Sequence, residues 1–588
     1  MATLHRLKQL YSEARDATMD ARRNAELAQD YYDNKQWSSE AIKALRKRKQ
    51  PEIWINRIAP AVNGILGVLE RGASDPRAYP RTMDDQAASE VATDALRYAA
   101  DNCRWDRVKL AASRTFLIGG VGAVVVEVDE KLDPVARIIR EGEFVYDPHS
   151  RDPDFEDARY LGVAKWMYVD AVKAMYPGAD IDPSALGPES MNADDEDKPL
   201  DTWTDNRRNR VLVCEMYVNE NGWQRIVFWG GGVLEQGGSP YLDENGRPDC
   251  PIVAQSCFVD RDNARYGIVQ AMIPIQDEIN MRRSRLLHLA NSRQVSIVDP
   301  SAIAEDANVI RDEAARPDGV LPFGVQPSPT GDLQNGQIQL LQESKNEIER
   351  MGPNPAVLGQ GSSDASGRAQ MVRQQAGLTE LTPALGGIED LELRVYRAMW
   401  NRIRQFWDEP KLIRVTDDLG APKFLVMNEP VIEQVPGIVM GPDGQPMVGM
   451  TEQIVAVNNR AAEMDMDIIL ESVPDTATIA QEQFAELVKL AQFYGPQEVP
   501  FDDLLEASSL PKKREILEKR QARMQEAAQG QGPQQQIQQQ AAMLELADKE
   551  AGVVEKQARA KKYDADAEAK LAEEARKSFE TGAKVVQG

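Results

Sequence analysis

From Tyr266 to Pro300 the chain reads YGIVQAMIPIQDEINMRRSRLLHLANSRQVSIVDP. This stretch constrains the fold most, because it predicts a single long helix that holds no phosphate-binding glycine loop and no cysteine. Ile268, Met272, Ile275, Ile279, Leu286 and Leu289 follow helical spacing, with one step of seven crossing Arg282 and Arg283. At about 1.5 Å per residue, a helix from Gly267 to Ser292 spans on the order of 40 Å. Pro274 falls near its first turns, where the ring and the missing N–H favour a kink. A second helix is predicted in LQNGQIQLLQESKNEIERMG. Between the two lies a short, Pro-broken, mixed excursion of about forty residues. The helices can therefore lie antiparallel, with the excursion projecting from their far end.

The flanking regions change period. Residues 1 to about 118 look helical, with Ala88, Val91, Ala95, Tyr98 and Ala99 on one stripe and Gly119-Gly120 as the stop. In GAVVVEVDE, Val124, Val126 and Val128 alternate with Val125, Glu127 and Asp129, which predicts a half-buried strand. NRVLVCEMYVNENGWQRIVFWGGG predicts a hairpin turning at Asn221-Gly222. An acidic, Pro-rich loop, DIDPSALGPESMNADDEDKPLDTW, separates these strands.

After Met351, GPNPAVLGQGSSDASGRAQ reads as a loop, with Ser366 placed to cap the next helix. That helix carries Leu378, Leu381, Leu385, Ile388, Leu391, Val395, Met399, Ile403 and Phe406 as one stripe. Pro383 and Gly386-Gly387 interrupt it and predict a kink. Short strands follow over 411–475. The last part is helical, with Glu515 and Lys519 spaced for an ion pair. A Gln-rich run leads to a tail in which Leu546, Val553, Ala560 and Ala567 recur every seven residues until Glu574. So narrow a stripe does not stabilise a lone helix. The tail is either disordered or a helix completed by copies of itself.

A search for chemistry finds little. His5, His149 and His288 are scattered and lack a GxSxG elbow or a catalytic cysteine context. GQGSSDASGR (Gly359–Arg368) lacks the Lys that a P-loop requires. YDPHSRDPDFEDA gathers Asp147, Asp152, Asp154, Glu156 and Asp157, but its prolines fall where a calcium loop needs flexibility, so a solvated acidic loop is expected. Cys103, Cys214, Cys250 and Cys257 suit neither zinc nor a disulfide framework, and reduced, mostly buried thiols are expected. No cofactor and no metal are expected. No run of about 18 apolar residues exists, so no membrane insertion is expected. The charged N-terminus does not read as a secretory signal. A net charge of −25 argues against a surface that grips nucleic acid all over, since phosphate binding runs on Lys and Arg releasing counterions. Arg282, Arg283 and Arg285 form a basic cluster. They complement the helix dipole, pair between subunits, or form a positive ring that meets phosphate.

Several stretches, taken in order, resemble the portal proteins of tailed bacteriophages, most of all the large type of short-tailed phages. AQDYYDNKQW and INRIAPAVNGILG are similar to the family's N-terminal pattern, with Lys35 where a Gly is usual. VYDPHSRDPDFEDARYLGVAKWMYVDAVKAMYP is the most specific match, through Asp147-Pro148, Asp157-Ala158 and Tyr176-Pro177. YGIVQAMIPIQDEINMRRS resembles the family's stem helix, and NPAVLGQGSSDASGRAQMVRQQAG its channel loop and following helix. MDMDIILESVPDTATIAQEQFAEL looks like the approach to its crown.

The resemblance implies an α+β, mainly helical ring subunit. Its parts are a helical wing (1–118), a β-rich wing region (119–262), and two stem helices around a small α/β clip (263–350, clip about 293–335). A channel loop with a long kinked helix (351–410), a β-rich return (411–475) and a helical crown or barrel (476–588) follow. It implies a homo-oligomer, usually a dodecamer, at one capsid vertex of the virion, assembled in the host cytoplasm and having no active site. Double-stranded DNA would pass through without sequence specificity. The large terminase subunit, head-completion, adaptor and tail proteins, and the major capsid and scaffolding proteins would be partners. Gly359, Gln360, Gly361, Ser362 and Ser363 would face the channel. Arg282, Arg283, Arg285 and Lys345 would be lumen or intersubunit cations, and Asp306, Arg311, Asp312 and Arg316 would be clip contacts. The readings set against this are a tail or baseplate ring protein and an enzymatic packaging component.

Overall fold

The computed structural model describes residues 3–472 apart from 49, 72–73, 82–85, 183–202, 206, 292–294, 299–306, 317–318, 328–330, 353–366, 417–421 and 441–445. Beyond these it describes positions 487, 488, 491, 505, 519 and 520. The chain divides into two units, Met1–Ile479 and Ala480–Gly588. Every element named below belongs to the first. Glu515 of the expected ion pair, the Gln-rich run, the repeating tail, Ser366 and most of the acidic 180–203 loop lie outside the described residues.

Helices α1 (Leu4–Ala17), α2 (Met19–Tyr32), α3 (Ser39–Lys47) and α4 (Ile58–Arg71) open the chain. Strand β1 (Ser74–Pro80) then interrupts the expected all-helical region and precedes α5 (Gln86–Cys103) and α6 (Trp105–Gly119). The sequence hides β1 because SDPRAYP holds two prolines and little alternation. Its partner is β19 (Met466–Ser472), antiparallel, from Ser74 opposite Ser472 to Pro80 opposite Met466. The break between α5 and α6 is a second departure, since one helix was expected there. Arg104 takes a left-handed conformation, φ 54°, and turns the chain. Gly120 ends α6 with φ 95°, as the glycine pair predicts.

The β-rich part contains β2 (Val121–Val128), β3 (Pro134–Ile139), β4 (Phe144–Tyr146), β5 (Tyr160–Tyr168), helix α7 (Val169–Met175), β6 (Thr204–Asp205), β7 (Arg210–Asn219), β8 (Trp223–Trp229), β9 (Gly232–Gly238), β10 (Ile252–Ser256), β11 (Phe258–Val259) and β12 (Arg265–Tyr266). One sheet runs β10-β2-β3 and another β4-β5-β7-β8-β9, with β6 pairing on β7. The β7–β8 turn has Asn221 at φ 73° and Gly222 at φ 116°, the hairpin geometry that this dipeptide favours. Strand β2 is not half-buried as expected. Val124 and Val126 pack into a core with Trp105, Val395 and Met399, while Ala123 and Val125 pack on the other face with Phe144, Leu161 and Ile252. An alternation of Val with Glu cannot reveal that both faces are covered.

Helix α8 (Ile268–Asn291), β13 (Val295–Ile297), α9 (Ala307–Ala315), β14 (Val325–Pro327) and α10 (Gly331–Met351) come next. Helix α11 (Gly367–Phe406) is continuous through Pro383 and buries Ile388, Leu391, Val395, Met399 and Ile403. Two hairpins close this unit before β19, β15 (Lys411–Thr416) with β16 (Pro422–Met427), and β17 (Glu429–Met440) with β18 (Pro446–Asn458). They meet at two left-handed asparagines, both at φ 53°. Asn428 N–H donates to Asn459 O at 3.1 Å, and Asn459 Nδ2 donates to Val426 O at 3.0 Å.

The acidic stretch at 147–157 is a turn-rich cap on which Asp152, Glu156 and Asp157 are exposed, as a solvated loop would have them, whereas Asp147 is buried. Asp147 is 3% exposed. Asp157 accepts from Ser150 Oγ and from the Arg151 N–H, both at 2.6 Å, and these bonds hold its carboxyl below the usual range against the opposing effect of burial. The Arg265 guanidinium, 3.9 Å from the Phe155 ring, donates to Ser150 O at 3.1 Å and Asp152 O at 3.2 Å. Asp147, Asp154 and Asp157 thus accept from backbone N–H groups of the cap. Among the described residues no group of His, Cys, Asp and Glu is arranged to hold a metal ion.

Candidate functional site on a clamped helix pair

Helix α8 forms where the sequence predicts it, because its apolar positions have something to meet. Val269, Met272 and Ile279 share one core with Ile58, Val62 and Ile65 of α4, Phe116 of α6, and Leu341 and Ile348 of α10. The pair α8–α10 is antiparallel. Arg282 donates to Gln337 at 3.4 Å, while Arg57 bonds both Gln276, earlier in α8 (2.9 Å), and Glu349, later in α10 (3.4 Å). Between the two helices β13 pairs with β14, Val295 opposite Pro327 and Ile297 opposite Val325. Helix α10 starts at Gly331, ahead of the expected boundary near 336.

A second face of α8 is polar and fully buried. Gln276, Asn280 and Ser284 are each at most 1% exposed and recur every four residues. They hold an extended segment, Ile53–Arg57, that runs against the helix. Arg57 N–H donates to Gln276 Oε1 (2.9 Å), Ile55 N–H to Asn280 Oδ1 (3.1 Å) and Ile53 N–H to Ser284 Oγ (3.4 Å). Gln276 Nε2 returns a bond to Ile55 O at 2.8 Å, and Asn280 Nδ2 donates to Gln36 Oε1 at 2.7 Å. The spacings explain the fit. Four helical residues rise about 6 Å, and two extended residues advance about 6.6 Å, so alternate N–H groups meet successive turns. The segment is a strap whose amides are satisfied by side chains where a sheet would use backbone. Sequence reasoning missed it. The available signal was the polar i, i+4, i+8 series on an otherwise amphipathic helix.

The strap side also holds a half-buried acid. Tyr31 Oη donates to Asp277 Oδ1. Burial pushes the Asp277 carboxyl up, opposed by this bond, and burial together with the same partner pushes the Tyr31 phenol up.

The cations named from sequence separate into two kinds. Arg282 is bound to Glu278 one turn back and bridges to α10. Arg283 and Arg285 are exposed and make no ion pair among the described residues. Lys345 is half-buried on α10. In the excursion, Asp312 and Arg316 are exposed, and Arg316 pairs with Glu313 at 3.2 Å. Arg311 lies in α9, and Asp306 lies outside the described residues. Residues Gly359 to Ser363 also lie outside them. Val320 and Phe323, which sequence reasoning did not single out, are 81% and 88% exposed on the same excursion.

Other candidates are plain. His149 is exposed, with Nε2 3.3 Å from Glu13 Oε1. All four cysteines are free; Cys214 and Cys250 are buried, and burial pushes both thiols up, which keeps them protonated and unreactive. No helix among the described residues is long and apolar enough to cross a membrane.

The sequence pattern of the family described as phage P22-like portal protein matches residues 8–227 and 218–570. A curated relative, the portal protein of Helicobacter pylori bacteriophage KHP30, is 23% identical over 418 residues. The match covers 68% of this chain and 66% of that relative, just under two thirds of its length.

Proposed function

Because the chain belongs to the phage P22-like portal protein family, we propose that its copies close into a ring, a dodecamer, at one capsid vertex, with double-stranded DNA entering and leaving through the central hole. The observation that carries this reading is the family match across most of the chain, from residue 8 to residue 570. The antiparallel α8–α10 pair with its small excursion supports a two-helix stem ending in a clip. A heterologous contact between unlike surfaces closes into a ring when its rotation closes. The excursion, on which Val320, Phe323, Asp312 and Arg316 are all exposed, offers a surface for the packaging motor and for head-completion proteins. The segment Gly359–Ser363 would face the passage. The net charge of −25 suits a conduit. Each Lys or Arg that pairs with phosphate adds affinity, and a ring repeats every such contact.

Purified full-length chain is expected to form rings with a central hole under negative-stain microscopy. A monodisperse monomer under assembly-permissive conditions would overturn the reading. Removing Gly359–Ser363 should leave rings intact and impair DNA packaging or retention. Normal packaging by that variant would remove the segment from the passage.

A further inference from the structure

We propose that the chain carries a phosphate-binding face made from two distant segments, Lys43–Arg48 and Arg283–Arg285, whose ligand is the backbone of duplex DNA. This rests on the reading of the protein as a DNA conduit and adds a contact that the family match does not assign. The segment KALRKRK puts five cations within Lys43–Lys49, in a chain whose net charge is −25. One or two cations in the last turn of α3 would complement its dipole; five exceed that need. Lys43, Arg46, Lys47 and Arg48 are all exposed.

The strap brings this run to α8. Gln50 N–H donates back to Leu45 O at 2.9 Å, which turns the chain. Arg46 Nε is 2.5 Å from Glu52 Oε1, and the next residue, Ile53, is bonded to Ser284. Ser284 stands between Arg283 and Arg285. Contacts therefore lead from α3 to the basic end of α8, and three buried polar side chains of α8 are committed to keeping that register. Among the described residues Lys43, Lys47, Arg48, Arg283 and Arg285 make no ion pair, and the carboxylate of Glu52 is taken by Arg46. Bringing unpaired like charges together is unfavourable until an anion joins them.

Charge density decides between a second acidic copy and DNA. The chain spreads its −25 over 588 residues, whereas duplex DNA carries one charge per about 1.7 Å of axis. Exposed cationic heads on long stems suit the denser partner, and such contacts exchange through counterion release, which lets the duplex slide.

The test compares full-length protein with Lys43, Arg46, Lys47 and Arg48 all changed to Gln. A control carries Lys131, Arg151, Arg247 and Arg261 changed to Gln, and R283Q/R285Q forms a third variant. Binding to a short duplex is followed by fluorescence anisotropy across salt, and each protein is imaged for rings. The first variant should bind at least about tenfold more weakly at low salt, and its log–log salt slope should shrink by about 0.9 for each phosphate it no longer neutralises. The third should move the same way by less, and the control should match the parent. Unchanged affinity and slope in both basic-face variants overturn the proposal. Failure to form rings with DNA affinity retained also overturns it, and assigns the face to the interface between copies. A parent that forms no rings but whose DNA affinity falls in these variants would sink the conduit reading and leave the face standing.

Discussion

Replacing Asn280 by Ala should destabilise the first unit by about 3 kcal/mol, because it orphans buried groups that each cost about 1–3 kcal/mol when left unpaired. Asn280 accepts from the Ile55 N–H and from Gln276 Nε2, and donates to Gln36 Oε1, with bonds of 3.1, 3.0 and 2.7 Å. At 1% exposure no water replaces them without opening the fold. Gln276→Ala should cost a similar amount, since Gln276 accepts from the Arg57 N–H and donates to Ile55 O. Ser284→Ala should cost under about 1 kcal/mol, the net value of an ordinary hydrogen bond, because its bond to the Ile53 N–H is 3.4 Å long. Urea unfolding gives the ranking. Amide hydrogen exchange gives the mechanism: protection should fall at Ile55 in the first variant and at Arg57 in the second. A flat ranking, or unchanged protection at both amides, would show that the strap is held by something other than this ladder.

How far the sequence disclosed this arrangement depends on where each contact comes from. The two helices were legible because their apolar residues recur at helical spacing within a short window. The β7–β8 hairpin was legible because Asn221-Gly222 states its own turn. The strap was not legible, since Ile53–Arg57 carries no period and its partners lie more than two hundred residues away. Strand β1 was hidden for the same reason, as β19 lies near the other end of the unit. The two-sided burial of β2 escaped because Glu127 marks one face polar, yet the strand's first residues are covered by a sheet on one side and by α11 on the other. At 147–157 the clustered carboxylates read as solvated, and Asp152, Glu156 and Asp157 are exposed; the burial of Asp147 escaped because its partners, the N–H groups of His149 and Arg159, carry no sequence signal. Of the named site residues, Arg282 proved to be bound within the helix pair, while Arg283 and Arg285 stayed free of partners among the described residues. The basic run after Lys43 went unremarked in the sequence, because only the strap leads from it to α8.

The largest single effect is expected at the junction where α8 leaves the β-rich region. Two glycines allow two backbones to touch there. A Cβ on Gly120 would lie 2.4 Å from the Tyr266 carbonyl carbon, and one on Gly267 would lie 2.4 Å from Leu117 O. Both neighbours are backbone, so neither can swing aside. Gly120 also sits at φ 95°, which adds backbone strain for any other residue. Its own carbonyl accepts from the Cys257 N–H at 2.8 Å, so the strained position cannot relax without opening the link between β10 and β11. Gly120→Ala should therefore cost about 3 kcal/mol or more, combining a disfavoured φ with overpacking. Gly267→Ala should cost about 2–3 kcal/mol from overpacking alone. The double variant should cost less than the sum, because one separation of the two backbones relieves both clashes. Additive effects would mean that the two glycines serve separate contacts. If the junction sets the angle at which α8 leaves the sheets, ring formation should fail in Gly120→Ala at temperatures where circular dichroism still shows a folded chain. Intact rings in a folded Gly120→Ala protein would locate the control of α8 in the strap alone.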